Sequence, residues 1–248
     1  MIHDPILFLT ACINPNGMSY TVINDINERL KQYLSSLRWY LDNTPYKILF
    51  VENTNFDISD YFKKEILSER LECLTFDGNN FDRQLGKGYG EALILKYALS
   101  NSSMLKTATT VVKITGRVIV KNIKNLIKRF NDTDTVYTDF SRHKSDMDKL
   151  SSIFVIAPIE FWFIFIQNKN MINDSKGIYF EHVLKLTVNY WIEKHHSYSA
   201  MYLPIYYSGI SGSTGIAYGH KFTRIGFMFK VVLYYIFIKK HIFDRVIL

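Results

Sequence analysis

Four short apolar runs, each followed by a polar or glycine-bearing loop and separated from the next by a helical pattern, limit the fold most. They are Ile6-Leu-Phe-Leu-Thr-Ala-Cys-Ile13, Lys47-Ile-Leu-Phe-Val51, Leu71-Glu-Cys-Leu-Thr-Phe76 and Thr109–Thr115. Between the first two, Val22, Ile23, Ile26, Leu30, Tyr33, Leu34, Leu37 and Leu41 recur at helical spacing with a polar opposite face. That spacing predicts a helix over 21–42, which Asn43-Thr-Pro45 stops. A shorter helix is expected over 58–69, and another runs from the glycine-rich stretch 86–90 to about Ser100. This alternation over the first 130 residues predicts an α/β protein. Its mostly parallel sheet has helices on both faces. In such sheets ligands sit at the carboxyl ends of the strands, so the loops at 10–17, 52–57, 77–90 and 115–121 are expected to converge.

Beyond residue 130 the pattern continues less regularly. Helix is expected over 121–130, strands over 135–140 and 152–157, a helix from Pro158, and a helix over 178–194. Tyr198–Tyr207 alternates well enough for one strand, and Ser208–Gly215 reads as a flexible loop. With 248 residues and 48% apolar side chains, the chain is long and hydrophobic enough for a large core, which excludes global disorder. Its 17 Tyr and 18 Phe suit either that core or a sugar-binding surface.

The net charge of +7 is uneven. Residues 219–248 carry Lys221, Arg224, Lys230, Lys239, Lys240 and Arg245 against Asp244 alone, among Phe, Ile, Tyr and Val. The expected organisation is one domain over 1–218 and a basic amphipathic helical tail over 219–248. Such a tail fits an anionic membrane surface, the protein's own domain, or a second copy in a homodimer. No nucleic-acid motif or basic stripe elsewhere suggests a nucleic-acid partner. Val231–Ile238 is too short to span a bilayer, which needs roughly 20 residues. The N-terminus lacks the features of a signal peptide. The expected location is cytoplasmic, with the inner face of the cell membrane as a docking place. Cys12 and Cys73 read as reduced thiols in apolar strands, and no Cys/His spacing suggests zinc.

Candidate site residues fall at strand ends. Thr10 and Ala11 follow the first strand, and Glu52 and Asn53 the second, where an acid or amide can bind ribose or a uracil edge. The run Arg83-Gln-Leu-Gly-Lys-Gly-Tyr-Gly-Glu91 places Gly88 and its neighbouring glycines beside Arg83 and Lys87. It matches neither a P-loop nor a dinucleotide fingerprint, but backbone N–H groups and fixed cations suit a diphosphate. Glu91 either favours the helix dipole or binds a sugar. Val112-Lys113-Ile-Thr115-Gly116-Arg117 ends a strand with a turn and a cation. His195-His196 reads as a helix-end pair.

Taken together, the strand ending Val-Glu-Asn, the Gly-Lys-Gly-x-Gly-Glu helix start and the Lys-Ile-Thr-Gly-Arg strand end resemble bacterial glycosyltransferases of the GT-A type. These enzymes build capsular polysaccharide, O-antigen or lipooligosaccharide. The resemblance covers roughly residues 5–215. It implies a Rossmann-like domain that moves a sugar from a nucleotide diphosphate, UDP above all, to a surface or lipid-linked glycan, with inversion. Metal-dependent members carry Asp-x-Asp where this chain reads Thr115-Gly116-Arg117. This departure argues against Mn²⁺ or Mg²⁺ as cofactor, with no metal ligand assigned. Arg117, with Lys113, Arg83 or Lys87, would then meet the charge of the departing diphosphate. Asp139 stands as a ligand for a sugar hydroxyl or metal, or as a strand-end cap. In inverting members the base lies at a helix start after the sheet, which Gly177-Ile-Tyr-Phe-Glu181-His182 fits. Glu181 is the expected base, His182 its neighbour or fallback, and Asp174 a weaker candidate. A membrane-associated assembly protein with a degenerate transferase fold is the alternative.

Overall fold

A computed structural model describes residues 4–18, 21–139, 149–211 and 214–218. Six of seven strands in the central sheet run the same way. β1 (Ile6–Ala11), β2 (Ile48–Glu52), β3 (Leu71–Thr75) and β4 (Thr110–Thr115) are mutually parallel, in the order β3-β2-β1-β4. Next to β4 lies β7 (Phe154–Pro158), which is antiparallel, then β6 (Thr135–Thr138) and β8 (Ser197–Ala200). All residues of β1, β2 and β7 are buried. Sheets covered on both faces need unbroken apolar strands rather than alternating ones, which is why these runs are legible in the sequence.

Alternate β1 side chains enter two separate cores. Leu7, Leu9 and Ala11 pack with Tyr33, Leu37 and Tyr40 of α1 (Ile26–Asn43) and with Leu126 of α4 (Ile123–Arg129). Ile6 and Phe8 face the opposite layer. There they meet Ala92 and Leu95 of α3 (Gly86–Asn101), Trp162 and Phe165 of α5 (Ile159–Gln167), and Leu184 and Val188 of α6 (Phe180–Glu193). The period-two geometry of a strand dictates this division. Burial of each large apolar side chain contributes about 1.5–3 kcal/mol.

Several boundaries differ from expectation. α1 begins at Ile26, not at 21, because Asp25 caps it by accepting the Glu28 N–H at 2.7 Å. The helix expected over 58–69 is a 3₁₀ turn at Ser59–Phe62 followed by α2 (Lys63–Leu67). The strand expected over 198–207 ends early at Ala200. The glycine-rich loop after it is instead paired: β9 (Tyr207–Ile210) joins β5 (Ile119–Val120) and β10 (Ala217–Tyr218) in a small antiparallel sheet. Both cysteines are free and partly buried. The expected tail at 219–248 and Phe140 lie outside the described residues. Among the described residues no helix is long and apolar enough to cross a membrane.

Candidate functional site

Register fixes where the strand ends meet. Thr10 pairs with Thr115 and Ala11 with Glu52, so β1, β2 and β4 end side by side. A cleft of about 290 Å³ opens at these ends. Of the expected residues, Thr10, Ala11, Asn53, Lys87, Gly88, Glu91, Thr115, Arg117 and Glu181 line it.

Arg117 is held by its neighbours. Nη1 donates to Gln32 Oε1 at 3.0 Å, and the guanidinium lies over the Tyr33 ring, 5.7 Å from its centroid. Only 9% of the residue is exposed, and Nε is buried with no partner among the described residues. Asn53 Oδ1 is likewise buried and unpaired. Unsatisfied buried polar atoms are few in folded proteins, and here a donor and an acceptor both belong to lining residues. On the far wall, Glu181 Oε1 accepts from Ser152 Oγ at 2.6 Å, which orients the carboxylate at the start of α6.

The other expected residues stand elsewhere. Glu52 does not line the cleft. Its carboxylate accepts from the N–H groups of Ile13 (2.9 Å), Thr54 (2.7 Å) and Phe56 (2.9 Å) and from Thr75 Oγ1, so it ties the loops after β1 and β2 together. Arg83, in the 3₁₀ turn before α3, also stands away, with Nη1 buried and unpaired among the described residues. Lys113 is fully buried. Gly116 serves the backbone: its N–H donates to Thr10 O at 2.9 Å, and a Cβ there would lie 2.6 Å from the same oxygen. Asp139 Oδ2 accepts from Tyr207 OH at 2.8 Å and fastens β9. His182 is a helix cap, with Nδ1 accepting the Tyr179 N–H at 2.9 Å.

The glycine run is a helix start packed against two neighbours. Gly86 has φ +78°, and a Cβ on it would lie 2.0 Å from Asp174 Oδ2; one on Gly88 would lie 3.1 Å from the Phe180 nitrogen. The Asp174 carboxylate faces the N–H groups of Lys87 and Gly88, while its Oδ1 is buried with no partner among the described residues. Asp174 therefore occupies the helix N-terminus where a phosphate was expected. Burial pushes its pKa up, Lys87 opposes that shift and Glu181 adds to it. Lys87 keeps its side chain on the cleft.

The sequence reading missed Arg29, Tyr33, Asn79 and Ser152, which also line the cleft. Arg29 looks like a solvated helix charge, but it falls on the stripe with Tyr33, Leu37 and Tyr40. Its guanidinium holds Cys12 O and, at 3.0 Å, Ile23 O. Among the described residues no three His, Cys, Asp or Glu side chains group to hold a metal ion. Thr115 and Arg117 bring no carboxylate to the strand end, so these two positions do not fit a divalent cation.

No family model and no curated protein matches the chain. Solved structures similar to it include Staphylococcus aureus TarS residues 1–349, at 12% identity and TM-score 0.44, covering 82% of this chain and 59% of that one. The chain thus spans less than two thirds of that TarS fragment. A glycosyltransferase involved in glycosylating the major capsid of PBCV-1 aligns at 10% identity and TM-score 0.46, over 92% of this chain and all of that one. A protein of Desulfovibrio desulfuricans G20 described as a nucleotide-diphospho-sugar transferase aligns at 9% and 0.46, over 81% and 80%. Likenesses this distant settle neither family nor activity.

Proposed function

We propose that the chain is a glycosyltransferase of GT-A type, using a nucleotide-diphosphate sugar. The observation that carries this reading is a grouping in one cleft at the carboxyl ends of β1, β2 and β4: among its charged lining residues, the cations Lys87 and Arg117 stand together with the carboxylate of Glu181, held by a serine. Open parallel sheets bind ligands at such strand ends. The unpaired Arg117 Nε and Asn53 Oδ1 are a donor and an acceptor that a nucleotide would satisfy.

In the reaction, Glu181 takes the proton of the acceptor hydroxyl. The resulting oxygen attacks the anomeric carbon, its bond to the diphosphate oxygen breaks, and configuration inverts. Negative charge grows on the departing diphosphate, where the guanidinium of Arg117 and the ammonium of Lys87 meet it. The donor is a UDP-sugar, and the acceptor a surface polysaccharide or lipid-linked glycan reached at the inner face of the membrane.

A panel of nucleotide sugars, scored by thermal shift and product formation with and without Mn²⁺, tests this reading. One donor is expected to raise Tm specifically and to be consumed only with acceptor. Arg117→Ala should lose that shift. Absence of any nucleotide-dependent shift refutes the proposal, and binding without transfer refutes its catalytic half.

A further inference from the structure

Lys113, an expected donor ligand, is completely buried, yet it touches the cleft wall on several sides. Its Nζ lies 2.5 Å from Glu91 Oε1 and donates to the Ser152 carbonyl at 2.5 Å, and it stands 5.2 Å from the centroid of the Phe180 ring. Thr10 Oγ1 donates to the same Glu91 oxygen at 2.9 Å. Ser152 Oγ in turn donates to Glu181. Thr10, Glu91, Ser152 and Glu181 all line the cleft, whereas Lys113 does not. The ammonium thus sits behind the wall, with the donor half of the cleft on one side and the catalytic carboxylate on the other.

An ammonium buried at 0% exposure persists only when paired and hydrogen-bonded. Glu91 and the Ser152 carbonyl meet that need, and the dependence is mutual. Without Lys113, Glu91 would present an uncompensated carboxylate to an arriving diphosphate, and the Ser152 main chain would lose its fixed donor.

We infer that Lys113 is a positioning residue with two separable effects. It neutralises Glu91, so that the cleft accepts a diphosphate, and it holds Ser152, so that Ser152 Oγ keeps Glu181 aimed. The inference rests on the glycosyl-transfer reading and assigns Lys113 no contact with substrate.

The test compares the parent with Lys113→Met, Glu91→Gln and the double variant, using UDP binding by calorimetry and donor KM and kcat. Lys113→Met is expected to weaken UDP about tenfold, or about 1.4 kcal/mol, since the unpaired Glu91 carboxylate then repels the diphosphate, and to lower kcat. The double variant removes both charges. It should recover UDP affinity and KM to within about threefold of the parent, while kcat stays about tenfold low because Ser152 remains unheld. Equal UDP affinity in Lys113→Met and parent overturns the inference, as does a double variant no better than the single one. If Lys113→Met does not fold, Glu91→Gln decides. It leaves an uncompensated ammonium behind the wall and should bind UDP more tightly in low salt, with the gain shrinking as salt rises. Unchanged or weaker binding overturns the inference. A parent that binds neither UDP nor any other nucleotide of the panel overturns the transfer reading as well; a parent that binds while the variants all match it overturns only the role given to Lys113.

Discussion

Gly86→Ala should be among the most damaging single-methyl changes in this protein. Gly86 has φ +78° and ψ −178°, a region used almost only by glycine, which costs an alanine about 1–3 kcal/mol. The new Cβ would also lie 2.0 Å from Asp174 Oδ2, forcing away the carboxylate that faces the Lys87 and Gly88 N–H groups. Loss of a helix cap adds about 1 kcal/mol. The sum, roughly 3 kcal/mol, lowers Tm by about 6–12 °C in a chain of this size. Gly177→Ala is the control. Gly177 has φ +73° and nothing within 4 Å of a Cβ, so its cost is left-handed strain alone, about 1 kcal/mol and about 2–4 °C. Calorimetric melting of both variants, and of Gly86→Ala combined with Asp174→Ala, resolves the two contributions. The double variant should be less damaged than the sum of its single changes, because the collision is then gone. A Gly86→Ala loss no larger than that of Gly177→Ala would refute the placement of Asp174 over the start of α3.

Glu181→Gln should lower kcat by about 10²–10⁴ with donor KM little changed, and Ser152→Ala, which removes the 2.6 Å donor, by about tenfold; full activity in Glu181→Gln refutes the base. Asp174 has a raised pKa in the fold, from burial first, so its contribution is fully present below the unfolded value of 3.8 and is lost as pH rises through the folded value. Tm of Asp174→Asn minus that of the parent should therefore grow with pH from about 3.5 upward, and a flat difference refutes the shift. Burial pushes the Cys12 thiol up to about 11 and Cys73 to about 12. Iodoacetamide at pH 8 should thus label the native protein about 100-fold more slowly than the urea-unfolded chain, and equal rates refute that burial.

The parallel half of the sheet is readable in the sequence because β1 and β2 are buried on both faces and so are nearly continuous apolar runs, a pattern that Lys113 interrupts in β4. The small sheet is not. β5 is two residues long and carries no periodicity, and the alternation of 198–207 is interrupted when Met201 N bonds Thr138 O and Asn122 claims the Pro204 carbonyl. Strand-end logic groups Thr10, Asn53 and Arg117, which line one cleft because parallel strands in register finish together. Glu52 and Lys113 do not line it, since sequence gives the position of a charge and not the groups that use it. Glu52 is taken up by loop amides and Lys113 by a buried carboxylate. The glycines of α3 read as a phosphate loop in the sequence because nothing local reveals that Asp174, far along the chain, stands beside Gly86.

That last contact has a consequence for synthesis. The first turn of α3 packs against a side chain, Asp174, that leaves the ribosome roughly ninety residues later, about 4–18 s at ordinary elongation rates. β6 likewise waits, since β7, made after it, is the strand that joins it to β4. The nascent amino-terminal half can pair β1 to β4 early, but the wall that carries Glu181 and faces the start of α3 arrives later, so ribosome-bound chains stalled before residue 174 should hold the parallel half of the sheet and an unfinished cleft.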